Sequence, residues 1–104
     1  MNILYDGIQE LKVKIGLAAD CFYQQKFQDG YRELVGIIDD IAAVLIIINP
    51  YKDRPDIAED YLRLSNLLQE ILGAMEQKDT VLMADILSYD IMDVMEKIRN
   101  ITFE

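Results

Sequence analysis

The stretch Ile41-Ala42-Ala43-Val44-Leu45-Ile46-Ile47-Ile48 is uniformly apolar, and it decides how the rest of the chain is interpreted. The surrounding segment has helical periodicity, and Asp39-Asp40 just before the stretch interrupts the alternation that a strand would show. A helix with one apolar stripe needs one neighbour, whereas a helix that is apolar on all sides must be covered all round. The stretch therefore predicts a helix that is central in the fold or lies at an interface.

Turn-forming residues divide the chain into segments of similar length. The breaks fall at Gln28-Asp29-Gly30, at residues 49–55 and at residues 77–80. Segments of about twenty residues favour helices over strands, and short loops favour antiparallel neighbours. We expect an all-α fold, a four-helix up-and-down antiparallel bundle in a single domain over residues 1–104. The predicted helices run from about Ile3 to Phe27, Gly30 to Asn49, Pro55 to Gln77 and Thr80 to Ile101.

Two of the predicted helices have recognisable start signals. Pro55 opens the third helix, where its missing N–H costs nothing, and Asp53 or Asp56 can accept hydrogen bonds from the first amides. Asp79 precedes the fourth helix and is predicted to be its N-cap.

The chain has more apolar surface than one four-helix core can bury, because 52% of its residues are hydrophobic. At 100° per residue, one face of the fourth helix is expected to be buried, and a second apolar stripe remains on its other side. Surplus apolar surface in a soluble protein usually marks an interface, either of a homodimer or of a groove for a partner's amphipathic helix. The expected buried face consists of Ala84, Leu87, Ile91, Val94, Met95 and Ile98. The expected interface residues are Ile46, Ile47, Leu82, Ile86, Tyr89 and Met92.

The residue types that most enzymes need are scarce. The chain has no histidine and one cysteine, Cys21, which excludes His-based catalytic dyads and zinc or iron–sulfur sites held within one chain. Its scattered glycines form neither a P-loop nor a dinucleotide-binding motif. We expect no enzyme activity, no cofactor and no bound metal. The alternative is a metal-dependent enzyme that uses the acidic side of the fourth helix, formed by Asp85, Asp90, Asp93 and Glu96.

The net charge of −9 argues against nucleic acid and anionic membrane surfaces as partners, since both require clustered cations. The longest nearly apolar window, residues 35–48, is shorter than the ~20 residues that span a bilayer. No basic segment precedes an apolar one at the N-terminus, and the single cysteine suits a reducing compartment. These features predict a cytoplasmic protein without a membrane partner.

The stretch Leu4-Tyr5-Asp6-Gly7 resembles the flagellin-export chaperone family, whose members carry a similar motif at the start of a long helix. The layout of later helices is also similar, with Ala58, Tyr61 and Leu62 opening the third. The resemblance implies a cytoplasmic chaperone that binds the helical C-terminal region of flagellin. The stretch from Val81 to Asp90 is also similar to short uncharacterised proteins of Gram-positive bacteria, which implies no activity.

These observations together favour a protein–protein interaction module that buries an amphipathic helix of a partner or associates with itself as a homodimer. A purely structural homodimer and the acidic metal-dependent enzyme are the alternatives.

Overall fold

The chain folds into four antiparallel helices packed side by side, which confirms the predicted all-α four-helix bundle. This computed structural model describes residues 3–101; residues 1–2 and 102–104 of the predicted single domain lie outside the described residues. The fourth helix, residues 80–99, has three consecutive segments because its hydrogen-bond pattern changes midway. The elements are α1 (Ile3–Tyr23), α2 (Phe27–Ile48), a 3-10 turn (Asn49–Tyr51), α3 (Pro55–Glu76), α4 (Thr80–Asp85), a π-helical segment (Ile86–Ile91) and α5 (Met92–Arg99).

The helices form a ring in which each one packs against the two beside it. α1 contacts α2 and the fourth helix, and α3 contacts the same two from the other side. Among residues 3–101, the diagonal pairs share no extensive contact. α2 and the fourth helix therefore occupy opposite corners of the bundle.

The core is filled by one apolar stripe from each helix, and the described part of the chain buries no polar or charged residue in it. The predicted buried face of the fourth helix is confirmed, since all six of its members are buried. The stripe on α1 follows steps of three and four residues, which is the spacing that places side chains on one face of a helix. Its members are Leu4, Ile8, Leu11, Ile15, Ala18 and Phe22.

The first interhelical turn lies four residues earlier than predicted. α1 ends at Tyr23, and Gln25 adopts the left-handed conformation with φ 63°. The amide of Lys26 donates to the carbonyl of Cys21 at 2.8 Å and the amide of Gln25 donates to Phe22 at 3.1 Å, which is the Schellman pattern of a helix C-terminus. The predicted break at residues 28–30 is wrong, because these residues form the first turn of α2.

The predicted start signals are correct in part. The Asp79 carboxylate accepts a hydrogen bond from the amide of Leu82 at 3.1 Å, which confirms the N-cap of α4. Pro55 is the first residue of α3, as expected. The expected capping of α3 by an aspartate is wrong, because no side chain caps this helix and Asp56 instead accepts from the Arg54 guanidinium at 2.7 and 3.1 Å.

The π-helical segment changes which side chains of the fourth helix face inward. The amide of Met92 donates to the carbonyl of Leu87, five residues earlier, so each turn here contains an extra residue. The wider turn lets both Ile86 and Leu87 reach the interior, together with Ile91. A helix drawn at a constant 100° per residue places Ile86 on the outer side, which is why the sequence misassigned it.

Candidate functional site

The six predicted interface residues do not form one surface. Ile46 is 73% exposed and Tyr89 is 70% exposed, and Ile47 and Leu82 are exposed to a smaller extent. Because α2 and the fourth helix are at opposite corners of the bundle, the residues on one cannot reach those on the other. The sequence identified real exposed apolar side chains but could not tell which of them are neighbours.

Ile46 and Ile47 lie on different sides of α2. Ile47 borders a groove between α1 and α2 together with Leu4 and Val44, and the groove is crossed by an ion pair between Lys14 and Asp40 with an N–O distance of 3.0 Å. The hydrogen bond to Asp40 raises the pKa of the Lys14 ammonium. Ile46 instead faces the seam between α2 and α3. The two isoleucines therefore serve two different surfaces.

On the fourth helix, Leu82 and Tyr89 are exposed candidate interface residues, whereas Met92 is half-buried and Ile86 is buried. Ile86 is only 4% exposed, so its predicted place in the interface is wrong. It is buried because the wider π turn brings it against α3, near Gly73 and Ala74. The side chain of Met92 is half-buried and packs against the core, so it is less exposed than Leu82 and Tyr89.

Two residues on the acidic side of the fourth helix form ion pairs with the two flanking helices. Asp93 accepts from Arg63 on α3 at 2.7 Å, and Glu96 pairs with Lys12 on α1 and with Arg99. These hydrogen bonds lower the pKa of both carboxyl groups. Among residues 3–101, no three acidic or cysteine side chains converge as a metal site would require. The arrangement ties α5 to both neighbours.

A polar contact joins the end of α1 to the π-helical segment. The Tyr23 hydroxyl donates to Asp85 at 2.5 Å and lies 3.2 Å from the hydroxyl of Ser88, which itself donates to the carbonyl of Ala84 at 2.8 Å. The bond to Asp85 raises the pKa of Tyr23. These groups satisfy one another at the surface, so the contact positions the fourth helix and presents no group for chemistry.

The sequence did not identify the apolar surface along the α2/α3 seam. Its half-buried side chains pack against the core from outside, and exposed Val35 and Leu72 flank them. The signal that could have revealed this surface is the repetition of apolar residues at steps of three and four on α2, beside the stripe that faces the core. The half-buried side chains are Tyr31, Ile38, Leu45, Tyr61, Leu68 and Met75.

The exposed apolar side chains do not result from loose packing. The accessible surface of the chain is 6239 Å². A compact monomer of 12.0 kDa is expected to expose about 6,000 Å². The chain is therefore packed as compactly as expected, and its exposed apolar side chains are a property of the sequence.

The segment Phe27–Tyr51 is long and apolar enough to cross a membrane when judged by length and composition alone, with a mean hydropathy of 1.8. The predicted shorter window counted only residues 35–48, whereas the helix and its 3-10 extension run further at both ends. One such helix is weak evidence, because core helices pass the same test. In this bundle 28% of its most apolar window is buried, and Leu34, Ile37 and Ile41 of the segment lie in the core.

Comparison with known proteins identifies the family. No curated protein and no solved structure matches the chain. Residues 1–101 match the model of a family described as a domain of unknown function, DUF8042. Since this match covers nearly the whole chain, the protein belongs to the DUF8042 family.

Proposed function

We propose that this protein is a non-enzymatic, chaperone-like interaction module of the cytoplasm that buries an amphipathic helical segment of a partner protein. The observation that carries the proposal is that Leu82 and Tyr89 are two large apolar side chains exposed on the fourth helix. An amphipathic helix of a partner protein has an apolar face that can cover such side chains. Each large side chain that becomes fully covered contributes about 1.5 to 3 kcal/mol to binding.

The distribution of charged groups supports binding over catalysis. Two of the four acidic side chains that offered the alternative metal site are paired with cations from neighbouring helices, Asp93 with Arg63 and Glu96 with Lys12. The net charge of −9 disfavours nucleic acid and anionic membranes as partners. An apolar surface that is surrounded by acidic side chains therefore fits a protein segment better than a nucleic acid or an anionic membrane.

The test is affinity purification of the full chain from a lysate of its host, with chemical crosslinking and mass spectrometry. We expect a specific protein to be crosslinked to the fourth helix, and the Leu82→Asp, Tyr89→Asp double variant to lose it. The matched control, Val13→Asp with Leu17→Asp, adds the same charge to exposed apolar positions on α1 and is expected to retain the partner. Recovery of the protein alone, or equal recovery by both variants, would contradict the proposal.

A further inference from the structure

α2 carries a second apolar stripe beside the one that faces the core of its own chain. The members of this outer stripe recur at alternating steps of four and three residues, which is the heptad spacing of helices that pack against other helices. α3 carries a matching stripe. The outer stripe consists of Tyr31, Val35, Ile38, Ala42 and Leu45 on α2, of Asn49 directly after α2, and of Ala58, Tyr61, Ser65, Leu68, Leu72 and Met75 on α3.

The two halves of the outer stripe lie side by side in matching register. The hydroxyl of Tyr61 donates to Asn49 Oδ1 at 3.0 Å, which fixes the alignment of the antiparallel helices at one end. Both helices advance about 1.5 Å per residue, so one heptad back along α2 matches one heptad forward along α3. Three levels of paired side chains result. Leu45 borders the same pocket as Tyr61, and heptad steps from this pair place Ile38 level with Leu68 and Tyr31 level with Met75.

The paired side chains are covered from one side only. They pack against the core beneath and are half-buried, while the flanking members Val35 and Leu72 are 58% and 39% exposed. In a four-helix core, side chains at heptad positions are covered by all four helices. At each of the three levels of the outer stripe, only α2 and α3 contribute side chains. The outer stripe therefore resembles a four-helix core from which two helices are missing.

The angular position of the outer stripe fits a second bundle. At 100° per residue, the centre of the outer stripe on α2 lies about 100° around the helix from the centre of the stripe that faces the core. The two stripes on α3 are separated by the same angle. When two four-helix bundles of square cross-section share a pair of helices, each shared helix must face the centres of both bundles. The directions to these two centres differ by about 90°. The α2/α3 pair therefore has the geometry of an edge shared between two bundles.

The residue types of the outer stripe allow a second chain to approach. None of its positions is charged, although 28% of the chain is charged and the net charge is −9. Charge depletion at the centre of a patch is the compositional mark of a protein–protein interface. Two copies that meet at this face keep their carboxylates at the rim, where water and salt screen the repulsion between them.

The vacant half of this second bundle needs two antiparallel helices with the same heptad spacing. A single foreign helix would fill one of the two corners, whereas a second copy supplies both. The residues on the two sides of the seam also match, since Tyr31 corresponds to Tyr61 and Ile38 to Leu68 by a local two-fold relation. We infer that a second copy of this chain docks on the α2/α3 face, so that α2 and α3 of both copies form a shared four-helix core.

The size of the face sets the expected strength. The outer stripe is about 27 Å long at 1.5 Å per residue and about 20 Å wide across two helices. Two copies would bury roughly 1,100 Å² in projection, just above the ~1,000 Å² that a specific interface should exceed. An interface of this size lies at the lower limit for specific association, so we expect a weak dimer whose population rises with concentration.

The experiment is sedimentation velocity of the full chain between about 1 and 200 µM, a range that brackets micromolar affinity. The wild type is expected to shift from monomer to dimer across this range. Val35→Asp with Leu72→Asp places carboxylates in the shared core and is expected to weaken the dimer at least about 30-fold. Val13→Asp with Leu17→Asp makes the same charge change on the outer side of α1 and should leave the dimer unchanged.

A second variant, Val35→Lys, guards against misfolding of the double variant and against a general effect of added negative charge. It lowers the net negative charge and is nevertheless expected to weaken the dimer, with unchanged helicity by circular dichroism. A wild type that remains monomeric at 200 µM would overturn the inference. A dimer unaffected by the α2/α3 variants, or one disrupted by the α1 control, would overturn it as well. The face lies apart from Leu82 and Tyr89, so loss of partner binding there leaves this result unaffected.

Discussion

Gly30 brings two helices closer together than any other residue type at this position would allow. It is buried in the first turn of α2, and a Cβ added to it would lie 2.9 Å from the Phe22 ring of α1. That ring is itself confined, because it packs edge-on against Tyr31 with 5.3 Å between the ring centroids. The glycine is needed here for a close approach of side chain to backbone and not for the turn that the sequence suggested.

Gly30→Ala is therefore expected to destabilise the fold. The added methyl group must displace a buried aromatic ring, and such overpacking costs about 1–3 kcal/mol. Gly36→Ala is the matched control on the same helix, since a methyl group added there would meet no other atom within 4 Å. Alanine at that exposed helical position should stabilise by about 0.5–1 kcal/mol. Urea unfolding followed by circular dichroism measures both changes, and equal midpoints for the two variants would refute this account of Gly30.

At the scale of the element, packing against α3 gives different exposure to two residues that share one turn of the fourth helix. Leu82 and Ile86 are four residues apart and would share a face in a uniform α-helix. In the structure the first is exposed and the second is buried against α3. The turn between them is regular, because the amide of Ile86 donates to the carbonyl of Leu82 and the wider turns begin only at Ile86. Packing against α3 buries Ile86 and leaves Leu82 at the surface.

This difference predicts opposite responses to truncation. Ile86→Ala removes a buried side chain and is expected to lower the free energy of unfolding by about 2–5 kcal/mol. Leu82→Ala and Tyr89→Ala remove exposed side chains and should change it by no more than about 0.5 kcal/mol. Chemical denaturation of the three variants distinguishes them. A small effect at Ile86 would mean that the π-helical segment does not bury it in solution.

At the scale of the whole molecule, most of the fold could be predicted from the sequence because three helices follow constant helical periodicity. α1, with Leu4, Ile8 and Leu11 in one stripe, is the simplest case. The sequence-based predictions were wrong where the burial of a residue depends on tertiary packing that the local pattern does not show. The π turn moved Ile86 inward, and only the ring order of the helices determines that Ile46 and Tyr89 lie on separate surfaces. The α2/α3 face was missed because its heptad positions overlap the pattern of the core stripe.

Ion pairs that tie α5 to α1 and α3 make the stability of the whole bundle depend on pH. Hydrogen bonds from Arg63 and Lys12 lower the pKa of Asp93 and Glu96 in the folded state. A lowered folded pKa stabilises the fold above the ordinary carboxyl range of about 4, and this stabilisation is lost as the pH falls through the folded pKa. Asp60 acts in the opposite direction, because burial raises its pKa. Two carboxyl groups, those of Asp93 and Glu96, have a lowered pKa, and one, that of Asp60, has a raised pKa. We therefore expect the free energy of unfolding to fall on acidification below pH ~4.

The Asp93→Asn, Glu96→Gln double variant isolates this contribution. It is expected to be less stable than the wild type at pH 7, and the difference should disappear as the pH approaches 2, where the wild-type carboxyls are protonated. Asp20→Asn with Asp90→Asn is the charge-matched control, because neither aspartate forms an ion pair within residues 3–101. Urea midpoints at pH 7, 4 and 3 provide the comparison. A control variant that reproduces the same pH profile would show that net charge governs the acid response, whereas a profile specific to the double variant would assign it to the contacts that hold α5 between α1 and α3.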